Sequence, residues 1–302
     1  MSNSKEILLE SGTNELEIME FTIAGNTFGI NVAKVTEIMK YTAINPMPSS
    51  HPCVEGVFKP RENIITVIDL ATYMGLPPNE ESDRDMLIIT GFNKMSIAFH
   101  VHTVEGILRI SWEDIEKPDT TIYGGQEGLA TGIAKVNGKL ITIVDFEKVA
   151  FDISPQSGIQ LSEIKDMEQR ERNEKPILIA EDSTLLRKMI IEALSEAGYT
   201  NIESFNNGQD AWDRLSAIRQ TNGNIFDQCA LLITDIEMPK MDGHRLTKLV
   251  KDDPILQVIP VVIFSSLIDD TMRLKGEDLG ANAQVTKPEI GKLVGVLDSL
   301  TS

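Results

Sequence analysis

Acidic, hydroxyl and basic residues close four short apolar runs in the second half of this 302-residue chain. Ile177–Ala180 is followed by Glu181-Asp182, Ala230–Thr234 by Asp235, Val261–Phe264 by Ser265-Ser266, and Ala283–Thr286 by Lys287-Pro288. If the four runs are parallel strands of one sheet, all of these residues share its C-terminal edge. Two or three carboxylates in one spot repel each other unless a cation lies between them. A hard dication such as Mg²⁺ prefers such oxygen ligands and keeps some waters. A carboxylate can attack a phosphoryl donor to give an acyl phosphate. The charge spread over the transferring oxygens then needs positive partners, here Mg²⁺ and the Lys287 ammonium. A hydroxyl at Ser265 can donate to the same group. Taken one at a time, these residues have plainer readings: Glu-Asp as a helix N-cap, Asp235 as a turn residue, Ser265 as a small filler, Lys287 as a surface charge. Their recurrence at four strand ends favours one site, with Asp235 as phosphoacceptor.

The elements that must position them alternate regularly. Helical patterns over Thr184–Ala197, Gly208–Gln220, His244–Lys251, Asp269–Leu279 and Glu289–Leu300 separate five strands, Ile202–Phe205 being the fifth. Five strands, each followed by a helix, predict an α/β doubly wound five-stranded parallel sheet with helices on both faces.

The first half reads differently. Short strands alternate with Gly, Pro and Asn turns, and one unit occurs twice. Gly56-Val57-Phe58-Lys59…Ile65-Thr66-Val67-Ile68-Asp69-Leu70 matches Gly132-Ile133-Ala134-Lys135…Ile141-Thr142-Ile143-Val144-Asp145-Phe146, with the same Gly-to-Asp separation. Phe28-Gly29-Ile30-Asn31-Val32 with Val35 and Ile38 matches Ile97-Ala98-Phe99-His100-Val101 with Val104 and Ile107. Two copies of one β unit predict an all-β pair of small barrels related by a pseudo-twofold. Catalytic candidates are sparse here. His100 and His102 stand two apart, on one face if the segment is a strand, but no third metal ligand has suitable spacing. Cys53 beside His51 or His100 has no assignable orienting partner for nucleophilic chemistry. The plainer reading is a binding module.

Between the halves, Pro155, Ser157 and Gly158 mark a break, and densely charged sequence follows from Glu163. The expected organisation is a flexible tail over 1–15, a β domain over 16–152, a charged linker over 153–174 and an α/β domain over 175–302. The formal net charge of −18 is shared evenly between the halves, which opposes a nucleic acid as main partner. No apolar run approaches a membrane span and no secretory signal opens the chain, so a cytoplasmic protein without membrane insertion is expected. Cys53 and Cys229 are expected to be reduced thiols.

The constellation in 175–302 resembles the receiver domain of response regulators, with Asp235-Ile236-Glu237-Met238-Pro239-Lys240-Met241-Asp242-Gly243 as the acceptor loop. The resemblance implies that Asp182 and Asp235 bind Mg²⁺ directly, Glu181 through water, and the backbone carbonyl of Glu237 completes the set. It implies Ser265 and Lys287 on the phosphoryl group and a cis Lys287–Pro288 bond. Gln284 stands where that family carries its switch aromatic, so hydroxyl shift followed by ring burial cannot operate in that form. Residues 16–152 resemble the CheW coupling domain, through Glu20-Phe21…Phe28-Gly29-Ile30…Val35…Glu37-Ile38, Gly56-Val57 and Ile68-Asp69-Leu70. That family forms two SH3-like barrels bridging chemoreceptors to a chemotaxis histidine kinase. A receptor or kinase contact is expected near Val35, Ile38, Met39, Val57 and Arg61. The first three share a helical face if that segment is helical, and barrel core is their competing role.

A CheW-like domain followed by a receiver resembles the CheV-type coupling proteins. The resemblance implies a chemotaxis adaptor that docks the cytoplasmic tips of methyl-accepting chemoreceptors and the histidine kinase within membrane-associated receptor arrays. It implies adaptation through Asp235 phosphorylation and no enzyme activity beyond slow autodephosphorylation. Two rivals are a phosphate sink for the kinase and a haloacid-dehalogenase-type phosphatase. The phosphatase needs an Asp two residues past its nucleophile, where this chain has Glu237.

Overall fold

The computed structural model describes residues 15–61, 63–79, 82–92, 95–116, 118, 128–154, 172–221, 223–266 and 270–301. Almost all of the expected tail and most of the expected linker lie outside the described residues. The chain divides into two compact units, one within Glu15–Ser157 and the other closing at Ser302. Among the described residues no helix is long and apolar enough to cross a membrane.

The first unit is built from β1 (Glu15–Ile23), β2 (Asn26–Asn31), β3 (Val35–Lys40), β4 (Val54–Phe58), β5 (Ile65–Asp69), α1 (Leu70–Met74), β6 (Met86–Phe92), β7 (Met95–Val101), β8 (Thr103–Ser111), β9 (Ile115–Glu116), β10 (Ala130–Val136), β11 (Lys139–Val144) and α2 (Phe146–Ile153). Two sheets result, ordered β8-β1-β2-β11-β10-β9 and β3-β6-β7-β5-β4. The internal repeat accounts for their likeness, since β2, β3, β4 and β5 correspond to β7, β8, β10 and β11. The copies do not fold separately. β2 of the first copy lies parallel to β11 of the second, and β7 of the second lies parallel to β5 of the first. This exchange welds the unit around a shared cluster in which Phe146 packs on both Phe21 and Phe99, with ring centroids 5.8 and 4.3 Å apart.

Two repeated residues acquire local reasons. Asp69 and Asp145 end corresponding strands and cap the following helices: Asp69 accepts from the N–H groups of Ala71 and Thr72, Asp145 from that of Lys148. Such caps satisfy helix donors that have no partner within the helix. Gly56 has φ +146°, and a Cβ there would stand 2.0 Å from the carbonyl oxygen of Asn45. Only glycine allows the adjoining loop to bridge back onto β4.

One expectation needs correction. Val35, Ile38 and Met39 do not lie on a helix; Val35–Lys40 is strand β3, bulged between Val35 and Glu37. Successive strand residues point to opposite faces. Met39 therefore packs against the cluster of Phe58, Val67 and Leu87, Val35 against the separate cluster around Ile68, Ile88 and Phe99, and Ile38 is exposed. The three do not form one surface.

The second unit contains β12 (Ile177–Ala180), α3 (Thr184–Glu196), β13 (Ile202–Phe205), α4 (Gly208–Arg219), β14 (Leu231–Thr234), α5 (Gly243–Asp252), β15 (Val261–Ser265), α6 (Asp270–Asp278), β16 (Ala283–Thr286) and α7 (Ile290–Thr301). Every sheet pairing is parallel, in the order β13-β12-β14-β15-β16. Alternation along β12 shows why both faces need helices. Ile177 and Ile179 join a core with Ile190, Leu194, Leu293 and Leu297, from α3 and α7. Leu178 and Ala180 join another with Ala211, Leu215, Leu246 and Val250, from α4 and α5. With both faces covered, polar chemistry is left to the strand ends.

Candidate functional site

The strand ends deliver the side chains. Glu181 and Asp182 directly follow β12, and Asp235 directly follows the adjacent β14. The Asp235 N–H donates to the Ala180 carbonyl at 2.9 Å, fixing one acidic residue against the strand that ends in the other two. Glu181 is held from both ends: its Oε1 accepts from the Ser183 N–H at 3.2 Å, and its carbonyl accepts from the Arg187 guanidinium at 2.8 Å. Ser183 in turn caps α3.

The acceptor loop is equally constrained. Asp235 Oδ1 accepts from the Ile236 N–H at 2.6 Å, leaving Oδ2 as the oxygen that reaches Lys287. Asp242 caps α5, and the N–H of Gly243 donates to the Ile236 carbonyl. A Cβ at Gly243 would stand 1.8 Å from the Asp235 carbonyl oxygen, so any larger residue would push α5 off the loop. Glu237 lies in this loop, two residues past Asp235.

Lys287 completes the cluster from the far strand. Its ammonium donates to Glu181 Oε2 at 2.7 Å and to Asp235 Oδ2 at 3.0 Å, while its N–H donates to the Ser265 carbonyl at 3.1 Å. Ser265 is the last residue of β15 and pairs with Thr286 at the end of β16. The Lys287–Pro288 bond is cis. Glu181, Asp235, Ser265 and Lys287 are all at least nine-tenths buried.

The acids crowd one another. Oxygens of Glu181, Asp182 and Asp235 all lie within 4.8 Å of one another. Burial holds the Glu181 carboxyl above the usual carboxylate range; Lys287 opposes this, and Asp235 and Asp182 reinforce it. Three carboxylates converge in this cluster, and the donors are hard oxygens. The set therefore fits a hard dication such as Mg²⁺. Glu181, Asp182, Asp235, Ser265 and Lys287 are thus brought to one edge of the sheet. Gln284 does not join them: its amide N–H donates to the Arg273 carbonyl on α6 at 2.7 Å.

The first unit holds a second charged cluster that sequence spacing missed. His100 and His102 do not act as a pair. His102 follows the end of β7, and its Nδ1 accepts from the Ala24 N–H at 3.0 Å. His100 Nδ1 faces Glu55 Oε1 at 2.6 Å and its Nε2 faces Asp85 Oδ2 at 3.0 Å. The Tyr41 hydroxyl donates to Glu55 at 2.8 Å, and the Tyr41 ring lies 4.3 Å from the imidazole, centroid to centroid. Burial opposes charge on this ring, but the hydrogen bonds and charges of Glu55 and Asp85 prevail and raise its pKa. The ring is clamped between two acids, which favour its protonated form. Asp69 also has an oxygen within reach of the same group. The signal was present only as a lone His and scattered acids, which pairing of β5, β6 and β7 brings together. Cys53 is buried, its thiol pKa is raised by burial and by Asp69, and its N–H donates to His51 Nδ1, an arrangement without nucleophilic character.

Of the residues expected at a partner contact, Arg61 is well exposed and pairs with Glu37 at 3.1 Å. Val57 is half-buried on β4, where it pairs with Asn45.

Comparison with known proteins gives two family matches, the CheW-like domain over residues 17–153 and the response regulator receiver domain over residues 177–298. Among curated relatives, chemotaxis protein CheV3 of Helicobacter pylori is 31% identical over 287 residues, covering 91% of each chain. Chemotaxis protein CheV1 of the same organism is 27% identical, covering 91% of this chain and 89% of its own. Among solved structures, scaffolding protein TtCheW from Thermoanaerobacter tengcongensis is 26% identical, covers 43% of this chain and 89% of its own, and has a TM-score of 0.40.

Proposed function

The chain belongs to the CheV family of chemotaxis proteins, and we propose that it is a cytoplasmic adaptor whose coupling of chemoreceptors to a histidine kinase is set by phosphorylation of Asp235. The observation that carries this reading is the Lys287 ammonium held between Glu181 and Asp235 at one sheet edge, in a chain whose other unit is CheW-like. The domains are assigned to residues 16–152 and 175–302, with a tail over 1–15 and a linker over 153–174.

In this reading Asp235 Oδ2 attacks phosphorus on a phosphohistidine of the kinase. The O–P bond forms as the P–N bond breaks, and the departing imidazole takes up a proton. Asp182, Asp235 and the Glu237 carbonyl would hold Mg²⁺, with Glu181 acting through water. When bound, the ion supplies positive charge to the transferring oxygens. Lys287, released from Asp235, holds one oxygen of the transferred group, and the Ser265 hydroxyl donates to another. The chain acts as phosphoacceptor and scaffold; the acidic pair precedes the acceptor, against the arrangement a haloacid-dehalogenase phosphatase requires.

In the first unit, Arg61 and Ile38 offer exposed side chains to the cytoplasmic tips of methyl-accepting receptors or to the kinase, and half-buried Val57 on β4 is assigned to the same contact. Val35 and Met39 serve packing.

The test is transfer of labelled phosphate from the partner kinase in receptor membranes, with kinase activity read in the same preparation. Label is expected on the wild-type chain and absent from Asp235→Asn, and kinase activity should change only where label is taken up. Label retained by Asp235→Asn sinks the phosphoacceptor assignment. Unchanged signalling gain in Asp235→Ala, with prolonged phosphorylation of another regulator, establishes the phosphate sink instead.

A further inference from the structure

Among the described residues, two buried side-chain atoms have no hydrogen-bond partner, His244 Nε2 and Gln284 Oε1. Both belong to the receiver unit, and the Gln284 side chain packs on α6. His244 is in the first turn of α5, only 3% exposed, immediately after the Gly243 that abuts the Asp235 carbonyl. The Lys275 ammonium on α6 adds to burial in depressing its basicity, so the ring is neutral and carries one N–H. Gln284, on β16, packs on Gly276, the residue after Lys275 in α6. A Cβ on Gly276 would stand 2.4–2.7 Å from the Gln284 amide, so the missing side chain of Gly276 is what admits it. The orientation of that amide is fixed, because its N–H₂ donates to the Arg273 carbonyl. Its oxygen is therefore the atom left unpaired.

An unpaired buried donor or acceptor is costly, and native structures keep few of them. The two are complementary in kind in the tautomer that carries the ring N–H on Nε2, a donor for an amide acceptor. One is tied through Gly243 to the acceptor loop. The other stands on β16, three residues before Lys287 and at the position where receivers carry a switch aromatic.

We propose that His244 and Gln284 form a polar latch, open in the unphosphorylated protein and closed by an Nε2–H···Oε1 hydrogen bond when Asp235 carries a phosphoryl group. The latch rests on the phosphoacceptor reading and supplies the readout that the missing aromatic would otherwise give. Closure needs movement of α6, since the Gln284 amide bears on its Gly276 and is tied to its Arg273 carbonyl. The open state retains two orphan atoms and the closed state none, so pairing favours the phosphorylated conformation.

The test uses the full chain with Mg²⁺ and beryllium fluoride as the phosphoryl probe. In chain labelled with ¹⁵N-histidine, the probe should bring the His244 Nε2–H into slow exchange with solvent, and Gln284→Leu should abolish this. His244→Leu and Gln284→Leu should each weaken probe affinity about five- to tenfold, the worth of one net hydrogen bond. The double variant should lose no more than either single one, and His244→Gln, which keeps an N–H, should recover part of the affinity. Without the probe, both Leu variants should melt above wild type, because each removes an orphan atom. Additive losses, or an unchanged His244 ring in a chain that has bound the probe, overturn the latch and leave the acceptor assignment standing. A wild-type chain that does not bind the probe at all overturns both.

Discussion

The clusters around Lys287 and His100 use the same residue types to different ends. In each, one nitrogen cation bridges two carboxylates and a third acid stands close by. Lys287 sits almost wholly buried at the C-terminal edge of a parallel sheet, where loops converge and a ligand can be received. His100 lies along a strand inside a β unit, and both ring nitrogens are taken up by acids. Glu55 and Asp85 also receive neutral donors, from Tyr41 and Asn79. The Lys287 cluster gathers three acids at a strand-end edge, so it answers to added cations and phosphoryl groups. The His100 cluster raises the imidazole pKa above its ordinary value, so it answers to protons. An acidic cluster becomes a site through its place in the topology and the nature of its cation, more than through the number of acids.

The contrast can be broken most strongly at Lys287. Lys287→Ala leaves Glu181 and Asp235 buried against each other, and should destabilise the receiver unit by about 3–5 kcal/mol in metal-free urea titrations. Added Mg²⁺ should restore part of the loss; no metal-dependent recovery would show that the acids do not share a cation site. Removal of the ring in His100→Leu should cost less, about 2 kcal/mol, since its hydrogen bonds are charge-assisted but partly solvated. Its pH signature is distinctive. The folded-state pKa of His100 lies above its unfolded value of 6.5. The stabilisation is therefore complete below that value and is lost as pH rises through the folded pKa. Urea midpoints of the first unit should fall as pH rises above 6.5 in wild type and be flatter in His100→Leu. Equal slopes would show that the ring is not an imidazolium clamp.

Smaller effects sharpen the distinction between acids that hold structure and acids that hold ligands. Asp69→Ala and Asp145→Ala each remove a helix cap and should cost about 1 kcal/mol in thermal melts, without altering phosphate uptake. Loss of uptake would place these acids in the phosphoryl chemistry. Arg61→Ala breaks only an exposed pair with Glu37 and should change stability by less than about 0.5 kcal/mol. A marked loss of receptor-membrane binding alongside that small effect would assign Arg61 to the docking surface.

Legibility differed between the halves for physical reasons. In the receiver, each strand is a local apolar run and each helix a local period, and parallel pairing forces the strand ends to one side. Glu181, Asp235, Ser265 and Lys287 could therefore be placed together before any coordinates. In the β unit, the repeat gave the strands but not their partners. Val35–Lys40 could be read as a helix because apolar residues at 35, 38 and 39 suit that period, and the bulge that turns Val35 out of simple alternation leaves no local trace. Glu55 and Asp85 lie 45 and 15 residues from His100, and only the strand order brings them to its ring.

The amino-acid sequence by itself determined the two kinds of unit, the repeat and the residues at the receiver's strand ends, because hydrophobic period and turn chemistry act over a few residues. Tertiary structure alone decided the exchange of β2 and β7 between repeat copies, the clamp on His100 and the unpaired atoms of His244 and Gln284. Those depend on which distant segments meet, and that is settled when the whole core packs and each buried polar atom finds, or fails to find, a partner.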